Sequence, residues 1–190
     1  MTASERYSGG AIVLHWLMAF LLAGEIGLGM AMPRGPEGFD LYQLHKSIGI
    51  TILFLTLLRI GWRLTHRPPP PLERGAGARA AGAVHAGFYA LMLALPLSGW
   101  ALVSTSEIRV PTVLFGVIAW PHLPLPASWG EPAEAVHEWL AWLGIGLFVL
   151  HLAGALRHHL LLRDGLLARM APGGAAGAGL APGAGVIALG

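Results

Sequence analysis

The chain has 190 residues, 55% hydrophobic and 12% charged, with a formal net charge of +2 and no cysteine. A soluble domain carries about 25% charge, so this composition, with a mean hydropathy of +0.62, is that of a membrane protein. The lack of cysteine excludes disulfides, thiolate-held iron–sulfur clusters and covalent c-type haem, which needs C-x-x-C-H. No basic run suggests nucleic acid as a partner.

Four apolar segments are each near the roughly 20 residues that cross about 30 Å of hydrocarbon. The first runs from about Ala11 to Met32 and contains His15 and Glu25. Those polar residues, and a length beyond that of a leader's apolar core, predict a retained anchor. The second runs from about Leu44 to Leu64 and contains Arg59; Pro68 to Pro71 then force an extended exit. The third, about Val84 to Val103, carries Pro96, and the fourth, about Trp139 to Leu156, is preceded by His137 and contains His151. Between the last two, Val110 to Ala119 is too short to span and has Pro111, Pro121, Pro124 and Pro126 in and around it. It reads as an interfacial or re-entrant piece of a long loop.

Residues after Met170 are almost all Gly, Ala and Pro, so 171–190 is expected to be disordered and outside the function. The expected fold is all-α, an up-and-down four-helix bundle integral to the membrane and formed by residues 1–170. Arginines orient it. Arg6, Arg63, Arg67, Arg74, Arg79, Arg157, Arg163 and Arg169 fall on one side; the other has Arg34, Lys46 and Arg109. The excess of positive charge places both termini in the cytoplasm.

His137 and His151 are 14 residues apart on one segment. A helix turns about 100° and rises about 1.5 Å per residue, so the two rings share nearly one face at levels about 21 Å apart. His45 opens the second span at the outer level of His137, and His15 lies one turn into the first span at the inner level of His151. Two pairs follow, His45 with His137 and His15 with His151, and paired axial histidines are how membrane bundles hold haem iron without a covalent link. His85, at the inner start of the third span, competes for the inner site. A lone intramembrane histidine is often just a hydrogen bond between helices, but four at two matched depths point to ligation. Gly144, seven residues from both His137 and His151, leaves room for a porphyrin near the backbone, and Gly49 clears space one turn beyond His45.

The other polar residues are less decisive. Arg59 lies 14 residues after His45, at the inner level, where it either pairs with a haem propionate or snorkels to the interface; Arg63 is expected to face lipid. His85, with Tyr89 one turn later, lines the inner haem or a quinone pocket in one reading and is exposed at the interface at a helix start in the other. His158 and His159 are at headgroup level, where they either relay protons or do nothing. Glu25 in the outer half of span 1 carries protons, bonds a cofactor or reaches water. Lys46, beside His45, attracts an anion or is simply solvated. Trp120, Trp129 and Trp139 suit an interfacial aromatic belt, and His66 and His122 receive no role.

Taken together, His45-Lys46-Ser47-Ile48-Gly49, Arg59 with Trp62-Arg63, Pro68 to Pro71, Leu95-Pro96-Leu97-Ser98-Gly99-Trp100, Leu14-His15-Trp16 and His137-Glu138 through His151 to His158-His159 resemble the bacterial cytochrome b561 family, over roughly residues 6 to 170. The resemblance implies a four-helix inner-membrane protein with two non-covalent b-type haems that exchanges electrons with ubiquinone. It implies axial ligands at His15, His45, His137 and His151, in agreement with the depth argument. It further implies superoxide oxidation at the outer face as one activity of the family, making the chain an oxidoreductase whose catalytic residues stay unassigned. A second reading makes the chain a haem-binding anchor for a redox partner protein such as a dehydrogenase or hydrogenase, docked on Thr105 to Val136. A third, a histidine-based metal transporter, lacks cysteine and has only Glu25 as an intramembrane carboxylate.

Overall fold

The structure, a computed structural model, describes residues 6–33, 35–72, 74–108 and 110–172. The tail predicted for 171–190 lies outside the described residues beyond 172, as do Arg34 and Arg109 of the orientation argument. Four helices dominate: α1 (Gly9–Ala31), α2 (Phe39–Thr65), α3 (Ala76–Thr105) and α4 (Gly130–Leu156). Each is long and apolar enough to cross a membrane. α2 and α3 extend past the apolar segments read from sequence at both ends, and α1 and α4 at their N-terminal ends, because hydrogen-bonded turns continue where polar residues already occur.

Local chemistry explains where they stop. Met32 caps α1 through its N–H on the Leu28 carbonyl, and Pro33 follows. His66 does the same for α2 on Trp62 before the proline run, which has no N–H to continue the ladder. Gly75 enters α3 at φ 67°, a left-handed conformation that glycine adopts without a Cβ penalty. Pro96 lies inside α3, and on the same turn the Ser98 hydroxyl donates to the Leu95 carbonyl at 2.8 Å. α4 runs on into a π-helical turn, Arg157–Leu162, closed by Arg163 at φ 50°.

Helix α1 packs on α2, α2 on α3 and α3 on α4, the up-and-down order expected. α4 leans on α3 and has no comparable packing against α1 or α2. A small apolar core of Met18, Ile52 and Met92, with Leu21, Leu22, Ile48, Leu55, Phe88 and Tyr89 around it, joins α1, α2 and α3. The buried hydroxyls of Ser47 and Thr56 are satisfied within their own helix, on Gln43 and Ile52.

The loop piece read as interfacial or re-entrant is a β-hairpin, β1 (Thr112–Leu114) and β2 (Ile118–Trp120), with Val113 opposite Ala119. Its turn carries positive φ at Phe115 and Gly116, as tight antiparallel hairpins require. Periodicity could not reveal three-residue strands; their partners could. Gln43 holds both Pro111 and Val113, the Ser47 hydroxyl accepts the Phe115 N–H at 3.0 Å, and Trp100 donates to Pro121. The hairpin thus lies against α2 beside the start of the second span. At the opposite end, residues 165–172 fold back under the bundle: Trp16 donates to the Met170 carbonyl at 2.7 Å and Arg169 to Pro70 at 2.9 Å.

Candidate functional site

Depth within the helices brings the histidines together. His45 is six residues past the start of α2 and His137 seven past the start of α4, on helices that begin at the same end of the bundle. Their ring centroids are 6.2 Å apart with planes at 89°. At the other end, His15 is six residues into α1 and His151 five before the end of α4. Their centroids are again 6.2 Å apart, with planes at 69°. Both pairs bridge from α4 to helices on which it packs far less than on α3.

That spacing fits an iron between each pair. A metal–imidazole bond is roughly 2 Å and a ring nitrogen lies about 1.2 Å from its centroid, so collinear ligation needs about 6.4 Å. The donor set fits as well: two neutral imidazoles per level and no thiolate, as a non-covalent b-type haem requires. The metal-transport reading fares worse, since among the described residues no three His, Asp or Glu side chains converge on a point that would hold a metal ion.

The outer histidines are held by their neighbours. Nδ1 of His137 lies 3.0 Å from the Ser98 hydroxyl and 3.2 Å from the Leu95 carbonyl, both on the Pro96 turn of α3. Engaging Nδ1 leaves Nε2 as the nitrogen available to a metal. A Cβ at Gly99 would lie 3.0 Å from Cε1 of His137, so this glycine is what admits the ring against α3. Nδ1 of His45 faces the Glu25 carboxylate at 2.7 Å. These supports went unassigned in the sequence reading, although Ser98-Gly99 stood within the motif that carried the family resemblance.

At the inner level a third histidine stands beside His151. His85 is 5.6 Å from His151 between centroids and Phe88 is 5.3 Å from it. Arg59 does not snorkel: its Nε donates to the Tyr89 hydroxyl at 3.2 Å, and its guanidinium stands 5.9 Å from that ring. It is close enough to His15, His85 and His151 to act on each electrostatically. Gly144 meets Leu95 Cδ1 of α3 at 3.4 Å from where its Cβ would be, a helix-packing contact, whereas a Cβ at Gly49 would meet nothing within 4 Å. Lys46 donates to the Pro111 carbonyl at 3.4 Å. His158 pairs with Asp164 beyond the end of α4, and His66 stacks on Trp62. Trp120 lies among Trp100 and Phe54, packed on the bundle, while Trp129 and Trp139 are exposed.

The family profile described as Prokaryotic cytochrome b561 matches residues 6–173. The chain belongs to this family. Cytochrome b561 homolog 2 of Escherichia coli K12 is 36% identical over 87% of this chain and 91% of its own length. A Yersinia pestis protein named probable superoxide oxidase CybB is 31% identical over 88% of this chain and 97% of its own. Cytochrome b562 of Cereibacter sphaeroides is 30% identical, covering 90% and 98%. This cytochrome b561 is therefore a multi-pass protein of the bacterial inner membrane that binds b-type haem and transfers electrons, as the resemblance implied.

Proposed function

We propose that this cytochrome b561 holds two b-type haems and carries electrons from superoxide at the outer face to ubiquinone, with both termini in the cytoplasm. The observation that carries the reading is the repeated histidine pair, at the same 6.2 Å spacing, at both ends of one face of α4. His45 and His137 hold the outer haem, and His15 and His151 the inner one. His85 is a neighbour of the inner site and not a ligand, because 5.6 Å from His151 is short for an intervening iron. The functional unit is residues 1–170, with 171–190 outside it.

Bound haem supplies a one-electron couple at each level. Each superoxide ion gives up one electron and leaves as dioxygen; two such electrons with two protons convert one ubiquinone to ubiquinol. The chain's own contribution is placement. Ser98, Leu95 and Gly99 orient His137, Arg59 sets a fixed cation at the inner level for a propionate, and Gly49 and Gly144 keep the helix faces slim beside the ligands. Lys46, next to His45 in sequence and over the hairpin, is a cation on the face that superoxide approaches. The Yersinia relative's name supports superoxide as donor, and the arginine distribution supports the orientation.

Purified protein supplied with superoxide from xanthine oxidase and with a short-chain ubiquinone tests the reaction. Quinol formation, with two superoxide ions consumed per quinol and loss of the signal in His137→Ala, is expected. If superoxide decays at its spontaneous rate and no quinol forms, superoxide is not the donor.

A further inference from the structure

Glu25 is six residues before the end of α1 and His45 six residues after the start of α2, so the antiparallel pair sets them at one depth. Oε2 of Glu25 lies 2.7 Å from Nδ1 of His45, and the glutamate side chain is only 12% exposed. Neither that Nδ1 nor the second carboxylate oxygen, Oε1, completes a well-directed hydrogen bond with any described group. Among the described residues, the approach of Oε2 to Nδ1 is thus the polar contact that joins the two side chains, and Oε1 has no hydrogen-bond partner. Gly29, one turn beyond Glu25, would place a Cβ 3.9 Å from His45 Cε1, so the ring is seated against α1 without a bulky side chain in between. A carboxylate within a span is costly and is kept there by a specific partner.

We propose that Glu25 is a positioning residue for His45: its carboxylate is the acceptor that faces the Nδ1–H, which presents Nε2 to the outer haem iron, and its negative charge lowers that haem's reduction potential. The inference rests on His45 being an iron ligand, as proposed above. An imidazole that ligates through Nε2 keeps its proton on Nδ1, and a carboxylate that faces this N–H as hydrogen-bond acceptor fixes the ring and makes it a stronger electron donor. A fixed negative charge also favours the ferric form, which carries one more positive charge than the ferrous form. The two outer ligands are thus unequal: among the described residues, the hydrogen-bond partners of His137 Nδ1 are the neutral Ser98 hydroxyl and Leu95 carbonyl. At the inner level the fixed charge has the opposite sign, that of Arg59. An anion by the outer haem and a cation by the inner one make inward electron flow downhill.

Redox titration of the full chain with its haems tests this. Glu25→Gln keeps the shape and an acceptor oxygen and loses the charge. The outer wave is expected to move to more positive potential, by about tenfold in the reduction equilibrium or about 59 mV for one electron, while the inner wave stays in place. Glu25→Asp, which keeps the charge, is expected to recover most of the shift. The outer wave is recognised as the one missing from His137→Ala. An outer wave unmoved in Glu25→Gln, or moved as far by Glu25→Asp, overturns the role of Glu25. If His137→Ala retains both waves, the ligand assignment fails instead.

Discussion

Alanine at His137 is expected to remove one haem and spare the other, and alanine at His151 to remove the one that His137→Ala spares. On the proposed assignment each substitution takes away one of the two histidines that would hold haem at its level, so haem content is expected to fall by about half, from two per chain to one. His45→Ala should match His137→Ala and His15→Ala should match His151→Ala, because the rings pair as 45 with 137 and 15 with 151. His85→Ala is the control that separates ligand from neighbour: both haems are expected to remain. Haem extracted per chain, read beside the spectrum of each variant, checks the set. An inner haem lost in His85→Ala and kept in His15→Ala would reverse the assignment at that level.

A single alanine inserted after Gly144 is expected to be as damaging as losing a histidine, although it removes no ligand. One added residue turns His151 by about 100° relative to His137 while advancing it only about 1.5 Å. The two rings then no longer share a face, and α4 can satisfy one level or the other. One haem per chain at most is the expected result. The same alanine placed in the loop after Pro124 leaves the register of α4 intact and should leave haem content unchanged. Two haems in the Gly144 insertion would mean that the shared face is not what sets the sites.

The contrast between these two experiments reflects what could be read from the residues alone. The 14-residue interval on α4 and the depths of His15 and His45 are consequences of helix geometry and span length, and the helices do bring those rings to matched distances. Span order was legible for the same reason: apolar length and short connections leave few ways to arrange four antiparallel helices. What was not legible depends on rotation about each helix axis. Arg59 faces Tyr89 and Met18 and so lies inside the bundle, a choice between propionate and interface that depth alone leaves open. Gly144 was read toward the porphyrin, and the side chain nearest its Cβ position is Leu95 of α3, a neighbour that depends on the rotation of α4.

Glu25 is the instructive case. Its equal offset with His45 from the α1–α2 connection is visible once the helix ends are known, and the start of α2, at Phe39, lies five residues before the apolar boundary at Leu44. The hairpin was hidden for a different reason. Strands of three residues have no periodicity to detect, and their stability comes from Gln43, Ser47 and Trp100 on other elements.

The measurement that bears most directly on this account is the reduced-minus-oxidised absorption spectrum of the detergent-purified wild-type chain, taken together with haem quantified per chain. Two low-spin b-type haems per chain are predicted from the two histidine pairs. One haem per chain, or none in a folded preparation, would contradict the two-level arrangement on α4.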